Sequence, residues 1–205
     1  YLAVSGGIAV PAIMGSKSTF LSGKFGGLEG RPLRKGDILC GTDLPAPLDR
    51  IGTAFPSEWV PSYEREIVLR VIPGPQDHHF TEQGFLTFRS SFYQVTAKSD
   101  RMGIRLEGPK IEPQPHVEES VISESLIPGA IQVPGDGKPM VILNELVTGG
   151  YRKIATIISA DLHRVAQLKP GDRVRFEPIS IDEAHRLLRE QEELLRNLKE
   201  TLRRR

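Results

Sequence analysis

Ile127-Pro128-Gly129-Ala130-Ile131-Gln132-Val133-Pro134-Gly135-Asp136-Gly137-Lys138-Pro139, running into Met140-Val141-Ile142-Leu143 and then Asn144-Glu145-Leu146-Val147-Thr148-Gly149-Gly150-Tyr151, is the stretch on which the reading of the chain turns. It holds two short apolar runs separated by glycine-rich corners. Pro-Gly and Gly-Asp-Gly clusters are strong turn signals, and glycine lets a ligand approach main-chain N–H groups closely. Gln132, Asp136, Lys138 and Thr148 stand at those corners with no evident folding task. The pattern therefore predicts two strands carrying a site built on loops; the plainer reading is a tight hairpin at Pro134 to Gly137 and a bulge at Gly149-Gly150.

The chain around this stretch has 205 residues, enough for one ordinary domain or two small ones. Lys and Arg number 27 against 26 Asp and Glu, so no net charge points to nucleic acid or an anionic membrane surface. The basic run Arg203-Arg204-Arg205 reads as a solvated helix end. Cys40 is the single cysteine, which excludes an internal disulfide and a cysteine cluster for zinc. No apolar run approaches the roughly 20 residues that a bilayer-spanning helix needs. A cytoplasmic protein is the expectation.

From the first residue, Tyr1 to Val4 reads as a buried strand and Ile8 to Val10 as a second after the Gly6-Gly7 turn. Gly15-Ser16-Lys17-Ser18-Thr19 invites comparison with a phosphate-binding loop and fails it, because Ser16 separates glycine from lysine and Val10 stands where the earlier glycine belongs. A loop capped by its own hydroxyls is the better reading, with Lys17, Ser18 and Thr19 lining an anion pocket as the alternative. Leu33 to Leu39 turns into a strand. Residues 42–63 contain Pro45, Pro47, Pro56 and Pro61 and read as a linker that covers an edge, with Trp59 packed on apolar surface.

A strand is expected over residues 64–72, a helix capped by Thr81 over 81–88, and strands over 92–96, 154–159 and 173–176. His78 and His79 are adjacent, and neighbouring side chains diverge. None of the five histidines falls at a metal-ligand spacing, so no metal is expected. The turn at Lys98 to Arg101 reads either as an ion-paired turn, Asp100 with Arg101 or Arg105, or as an Arg101 grip on a carboxylate. Asp161 is placed to cap a short helix through Gln167. Ser180 and Glu183 form a capping box for a last helix whose leucines return at helical spacing on one face. About 25 residues at ~1.5 Å each reach roughly 37 Å, longer than a small domain needs, which assigns the far end to contact with another chain.

Ser99-Asp100-Arg101-Met102-Gly103-Ile104-Arg105-Leu106-Glu107-Gly108-Pro109, Pro128 to Pro134 and Thr148-Gly149-Gly150-Tyr151 together resemble the biotin-dependent carboxyltransferase family. That family includes the C-type subunit of 5-oxoprolinase, the sporulation kinase inhibitor antagonist and the carboxyltransferase domain of urea carboxylase. The likeness extends upstream through Tyr1 to Val4, Gly6-Gly7-Ile8 and Gly15 to Phe20. Downstream it takes in Asp161-Leu162, Gln167-Leu168 and Pro170-Gly171-Asp172. The sequence departs from the family pattern at Lys138, where a Gln is usual, and at Glu145 to Thr148, which is one residue short.

The resemblance implies a mainly β fold of cyclophilin-like β-barrel domains with short helices and a long C-terminal helix. Residues 1–41 would be the back half of an N-terminal cyclophilin-like domain, 64–179 a C-terminal one and 180–205 the helix. Leu33 to Leu39 recurs in outline as Leu168 to Val174, consistent with two related units, the first of which lacks a front half. That front half is expected upstream or on another polypeptide.

For function, the resemblance implies the C-type component of an ATP-dependent complex that opens the lactam of 5-oxoproline to L-glutamate. The partners would be A- and B-type subunits, or a second copy of this chain. ATP would be bound by those partners and no cofactor by this chain. The alternatives are biotin-dependent carboxyl transfer to urea or a similar amide, and a non-catalytic regulator that only binds a partner. Gln132, Lys138 and Tyr151 are the candidate catalytic residues. Arg101, Gly135, Thr148, Gly149 and Gly150 are the candidate substrate-binding residues, with glycine N–H groups as oxyanion donors. Arg101, Gln132, Lys138 and Tyr151 are expected to converge on one cleft.

Overall fold

Ile67, Leu69 and Val71 alternate with more exposed residues along Glu66–Pro73, a period of two that puts one face of a strand against a core. The computed structural model describes residues 2–42, 52, 54–143 and 148–203, which divide into a unit over residues 1–60 and another over 61–205. The second unit carries β1 (Glu66–Pro73), α1 (Glu82–Ser90), β2 (Tyr93–Val95), β3 (Gly103–Glu107) and β4 (Ser120–Ser125). These are followed by β5 (Ala130–Val133), β6 (Met140–Ile142), β7 (Thr148–Ile157), α2 (Leu162–Val165), β8 (Arg173–Pro178) and α3 (Ile181–Arg203).

Seven of the strands close into a barrel in the order β1-β8-β2-β3-β6-β5-β7, and β7 returns to β1 through Val71 opposite Ile157. Only β1 and β8 run parallel among these pairs. Closure removes the open edges that a flat sheet would leave, and β4 is added outside the ring, on the first half of β7. The lumen holds Leu69, Val71, Tyr93, Ile131, Val141, Ile154, Val174 and Phe176, all fully buried. Phe88 of α1 stacks on Phe176 with ring centroids 4.6 Å apart and seals one side of this core. The mainly β barrel with short helices and a long last helix agrees with the sequence reading.

Local details follow from named side chains. Thr81 caps α1, its hydroxyl accepting from Gly84 N at 2.8 Å. Ser180 accepts from Glu183 N at 3.2 Å, while the Glu183 carboxylate turns to Arg186 instead of completing a capping box. Asp161 does not cap α2 with its side chain; its carboxylate takes three hydrogen bonds from Arg70, a partner 91 residues away. β7 begins at Thr148, six residues before the expected start, because its polar first half is paired by β4 rather than buried.

α3 hydrogen-bonds back to the barrel through Gln191, whose amide reaches Ala160 O and His163 Nδ1. Beyond it Leu194 and Leu195 are more than half exposed. Among the described residues no helix is long and apolar enough to cross a membrane.

In the first unit the expected strands at Tyr1 to Val4 and Ile8 to Val10 do not form ladders. Tyr1 lies outside the described residues, and the pairing reduces to isolated bridges, Ile8 with Gly41, Ile13 with Ser16 and Phe20 with Phe25. A ladder needs a neighbour to take its N–H and C=O groups, and no extended neighbour stands beside Leu2 to Val4 among the described residues. Leu2, Met14, Leu33 and Ile38 are largely exposed. Ser18 N donates to Ser16 Oγ at 3.1 Å and Lys17 Nζ to Ile8 O at 3.3 Å, the self-capped loop that the sequence favoured.

The recurring Gly-Asp turn is real at the level of hydrogen bonds. Asp37 Oδ2 accepts from Arg34 N at 2.7 Å and Asp172 Oδ2 from Lys169 N at 3.0 Å, each three residues back. Arg31 forks onto Asp37 and holds its carboxyl down to about 2. Of the linker expected over 42–63, residues 43–51 and 53 lie outside the described residues, as do 144–147; Trp59 lies half-buried in a single turn, Ser57–Trp59.

Candidate functional site

The site is set by an irregularity in β7. Ile131 pairs with Ala155 and Gln132 with Lys153, so Ile154 is an extra residue on that strand. Such a bulge shifts the alternation and re-aims the side chains beyond it. Val133 then stands opposite Arg152 on the core side, while Gln132, Tyr151 and Lys153 share the outer face.

On that outer face lies a cleft of about 270 Å³, lined by Gln132, Thr148, Gly149 and Tyr151 together with Asp100, Met102, Arg105, Leu126, Met140 and Ile142. Leu126, Ala130 and Ile142 form a small buried cluster beneath it, with Met140 packed alongside. Gln132 is 2% exposed, and its Nε2 donates to Tyr151 O at 3.3 Å, which fixes the amide along the wall. The Tyr151 ring is 44% exposed and the Thr148 side chain is exposed. A half-apolar cleft with one buried amide, a phenol and a guanidinium is suited to a small polar ligand held by a few directed hydrogen bonds.

β3 and the turn before it close the other side. Asp100 Oδ1 accepts from Met102 N and Gly103 N at 2.8 and 3.2 Å, shaping that turn through the main chain. Ser99 Oγ accepts from Arg105 N at 3.0 Å. Ile104 and Leu106 point inward and leave Arg105 outward at the cleft. The strand alternation of Gly103 to Glu107 was the signal that could have singled out Arg105 from the sequence. Arg101, exposed, sits between Asp100 and Met102, two residues of the lining.

The expected convergence is therefore partial. Gln132, Thr148, Gly149 and Tyr151 come together. Lys138 does not join them: it lines a neighbouring hollow of about 170 Å³ with Asp136 and Glu107, and Arg105 and Met140 form the shared wall. Its ammonium is hydrogen-bonded and ion-paired to Glu107 of β3, an interaction that raises its pKa and keeps it charged. Gly135 lies apart, against the Glu119 carboxylate. Gly149 and Gly150 fall within the β4–β7 ladder instead of an open loop, Gly149 opposite Glu124, so an oxyanion cradle there competes with strand pairing.

Beside the cleft, Lys153 is buried and ion-paired to Glu124 of β4, and Gln76 donates to the same carboxylate at 2.9 Å. Those hydrogen bonds hold the Glu124 carboxyl below its ordinary value and fasten β4 over β7. Among the described residues no group of three or more His, Cys, Asp or Glu is arranged to hold a metal ion, and the His78 and His79 rings meet edge to face at 4.5 Å.

Known proteins resemble this chain in sequence and in fold. The chain is 36% identical over 203 residues to the C-type subunit of 5-oxoprolinase from Escherichia coli, covering 97% of this chain and 62% of that protein. It is 34% identical to the Haemophilus influenzae protein of the same name, covering 94% and 60%. It thus spans about three fifths of the length of these two relatives. The crystal structure of the Kluyveromyces lactis urea amidolyase superposes with a TM-score of 0.74 at 32% identity, covering 94% of this chain and 13% of that one. Residues 1–178 match the family described as carboxyltransferase domain, subdomain A and B, and the chain belongs to that family.

Proposed function

We propose that this chain is the C-type component of an ATP-dependent 5-oxoprolinase, working with A- and B-type partner subunits to open 5-oxoproline to L-glutamate. The observation that carries the reading is the Gln132–Tyr151 cleft, in a chain 36% identical over 97% of its length to the C-type 5-oxoprolinase subunit of E. coli. A lactam carbonyl is a poor electrophile because of amide resonance. Phosphoryl transfer from ATP to its oxygen, in the partner subunits, makes attack by water on the carbonyl carbon feasible, and the ring C–N bond then breaks with release of phosphate.

In this reading the present chain orients the ring. The Gln132 amide and the Tyr151 hydroxyl address the lactam N–H and C=O, Arg105 or Arg101 meets the carboxylate, and Leu126, Met140 and Ile142 hold the methylenes. The test is the assembled complex, assayed for ATP-dependent glutamate release from 5-oxoproline. Association of the subunits with no turnover would reject catalysis in favour of a regulatory binding role. Tyr151→Phe is expected to lower turnover in that complex roughly tenfold, the size of one directed hydrogen bond, and to leave the melting temperature unchanged, because the ring is half-exposed.

A second reading, carboxyl transfer to urea or a similar amide, is favoured by the likeness to the K. lactis urea amidolyase. Carboxybiotin would then be a substrate delivered from elsewhere. The same assay separates the two when urea and carboxybiotin replace 5-oxoproline and ATP.

The exposed Leu194 and Leu195, beyond the Gln191 hydrogen bonds to the barrel, make that end of the helix the surface proposed for partner association. Ending the chain after Gln191 is expected to weaken assembly in size-exclusion chromatography while the barrel melts within about 2 °C of the intact chain. Unchanged assembly would remove the idea.

A further inference from the structure

The face of β7 opposite the cleft carries a residue with no task in the proposed chemistry. Arg152 is 1% exposed, stands opposite Val133 in the ladder, and faces the core side of the barrel. Its guanidinium lies over the Phe80 ring, with Cζ 5.6 Å from the ring centroid, and its Nε and Nη1 have no hydrogen-bond partner. Guanidinium stays charged in proteins, even though burial draws its pKa down here. A buried charge with unspent donors is costly, and such a group in a stable barrel calls for an explanation.

A second orphan lies beside it. His79 Nδ1 is also buried without a partner. His79 belongs to the turn Asp77–His79, which is fastened to β7 by Gln76 N donating to Lys153 O and by Lys153 N donating to Gln76 Oε1. Burial, then His78, then the Arg152 charge hold the His79 imidazole below its ordinary pKa, so it is neutral near pH 7. The chain around the turn does not use the free nitrogens: Gln114 takes up the carbonyls of His79 and Phe80.

The acid that acts electrostatically on Arg152 is Glu119, and it is an exposed residue that forms no ion pair with it. Its carboxylate rests on the β5–β6 corner, where a Cβ at position 135 would stand 2.6 Å from Oε2. Glycine at 135 is what lets the carboxylate lie there.

Nε and Nη1 of a buried cationic side chain and Nδ1 of the imidazole whose pKa that charge lowers thus lack partners. We infer that Arg152 and His79 form a buried site for a small oxyanion, a carboxylate or a phosphate, on the core side of β7. Such a ligand supplies several acceptors and cancels the charge, which a water molecule cannot do. Glu119 flanks the site as a competing carboxylate.

The experiment uses the full chain, with sodium phosphate and sodium acetate each titrated against sodium chloride at equal ionic strength. A saturable rise in melting temperature over the chloride control is expected with at least one of the two, and the effective anion identifies the phosphate or carboxylate source. The Nε–Hε resonance of Arg152 should shift with the same saturation. Arg152→Met should abolish the response, and Glu119→Gln should tighten apparent binding several-fold by removing the competitor. No saturable rise over chloride, or a rise that survives Arg152→Met, overturns the site. If Arg152→Met does not fold, the Nε–Hε resonance in the unaltered chain decides, and a resonance indifferent to both anions overturns it equally.

Discussion

Asp161→Ala is expected to lower the melting temperature of the barrel unit by on the order of 10 °C. Asp161 is fully buried and its carboxylate takes Arg70 N at 2.9 Å, Arg70 Nε at 2.9 Å and Arg70 Nη2 at 2.5 Å. One contact therefore joins the start of α2 to the middle of β1, with Arg164 3.7 Å away as a second cation. Removing the carboxylate leaves a main-chain N–H and a guanidinium edge without acceptors. Breaking a buried pair in this way costs about 3 kcal/mol when the surviving partner keeps some access to water, as Arg70 does.

The same pair sets an acid limit. Burial works against the Asp161 charge, but the hydrogen bonds and charge of Arg70 outweigh it, and the carboxyl is held below its ordinary value. A depressed folded pKa contributes stability that is complete above the unfolded value of ~3.9 and is lost as pH falls through the folded one. Between pH 7 and 5 this residue leaves stability unchanged. Below about pH 4 the intact chain should lose stability faster than Asp161→Asn does, as read from urea midpoints at each pH. Equal slopes for the two would show that Arg70 does not stabilise the charged form.

How far the sequence could be read depended on where the partner of each residue lay. β5 and β6 were legible because apolar runs between glycine corners carry their own boundaries, and α1 because Thr81 announces its cap. β4 was missed. Ser120 to Ser125 is almost wholly exposed and its pairing comes from β7, so nothing in its own residues alternates toward a core. Lys138 was assigned to the cleft from its place beside Gly137, yet Glu107 of β3 decides where its ammonium goes. Asp161 looked like a helix cap by local rules, and an arginine 91 residues away took its carboxylate. The cleft residues Gln132, Thr148, Gly149 and Tyr151 were legible as types and as turn positions. The bulge that faces Gln132 and Tyr151 the same way was not, because it arises from the register of two strands and from no one segment.

Gly149→Ala is expected to be a damaging small change in the cleft. An ideal Cβ at this position would stand 2.6 Å from Gln132 Nε2 and 2.9 Å from Leu126 Cδ1. Gln132 is enclosed, so its amide must leave the Tyr151 carbonyl to make room, while Leu126 is held by its own buried cluster. A displacement of about 1 Å in a positioning group is enough to cost ~100-fold in rate. The kcat/KM of the assembled complex is therefore expected to fall by about two orders of magnitude. Stability should fall by about 1–3 kcal/mol, the cost of forcing a methyl against Gln132 and Leu126, with no added backbone strain because Gly149 is not held at positive φ. If the clash with Gln132 is the cause, the penalties of Gly149→Ala and Gln132→Ala will not add: in the Gln132→Ala background only the contact with Leu126 remains, and the coupling should amount to about 0.5 kcal/mol or more. The Gln132 side-chain amide resonance, shifted in Gly149→Ala alone, gives a reading independent of activity. Full turnover in a Gly149→Ala complex whose Gln132 resonance has moved would place the chemistry outside this cleft.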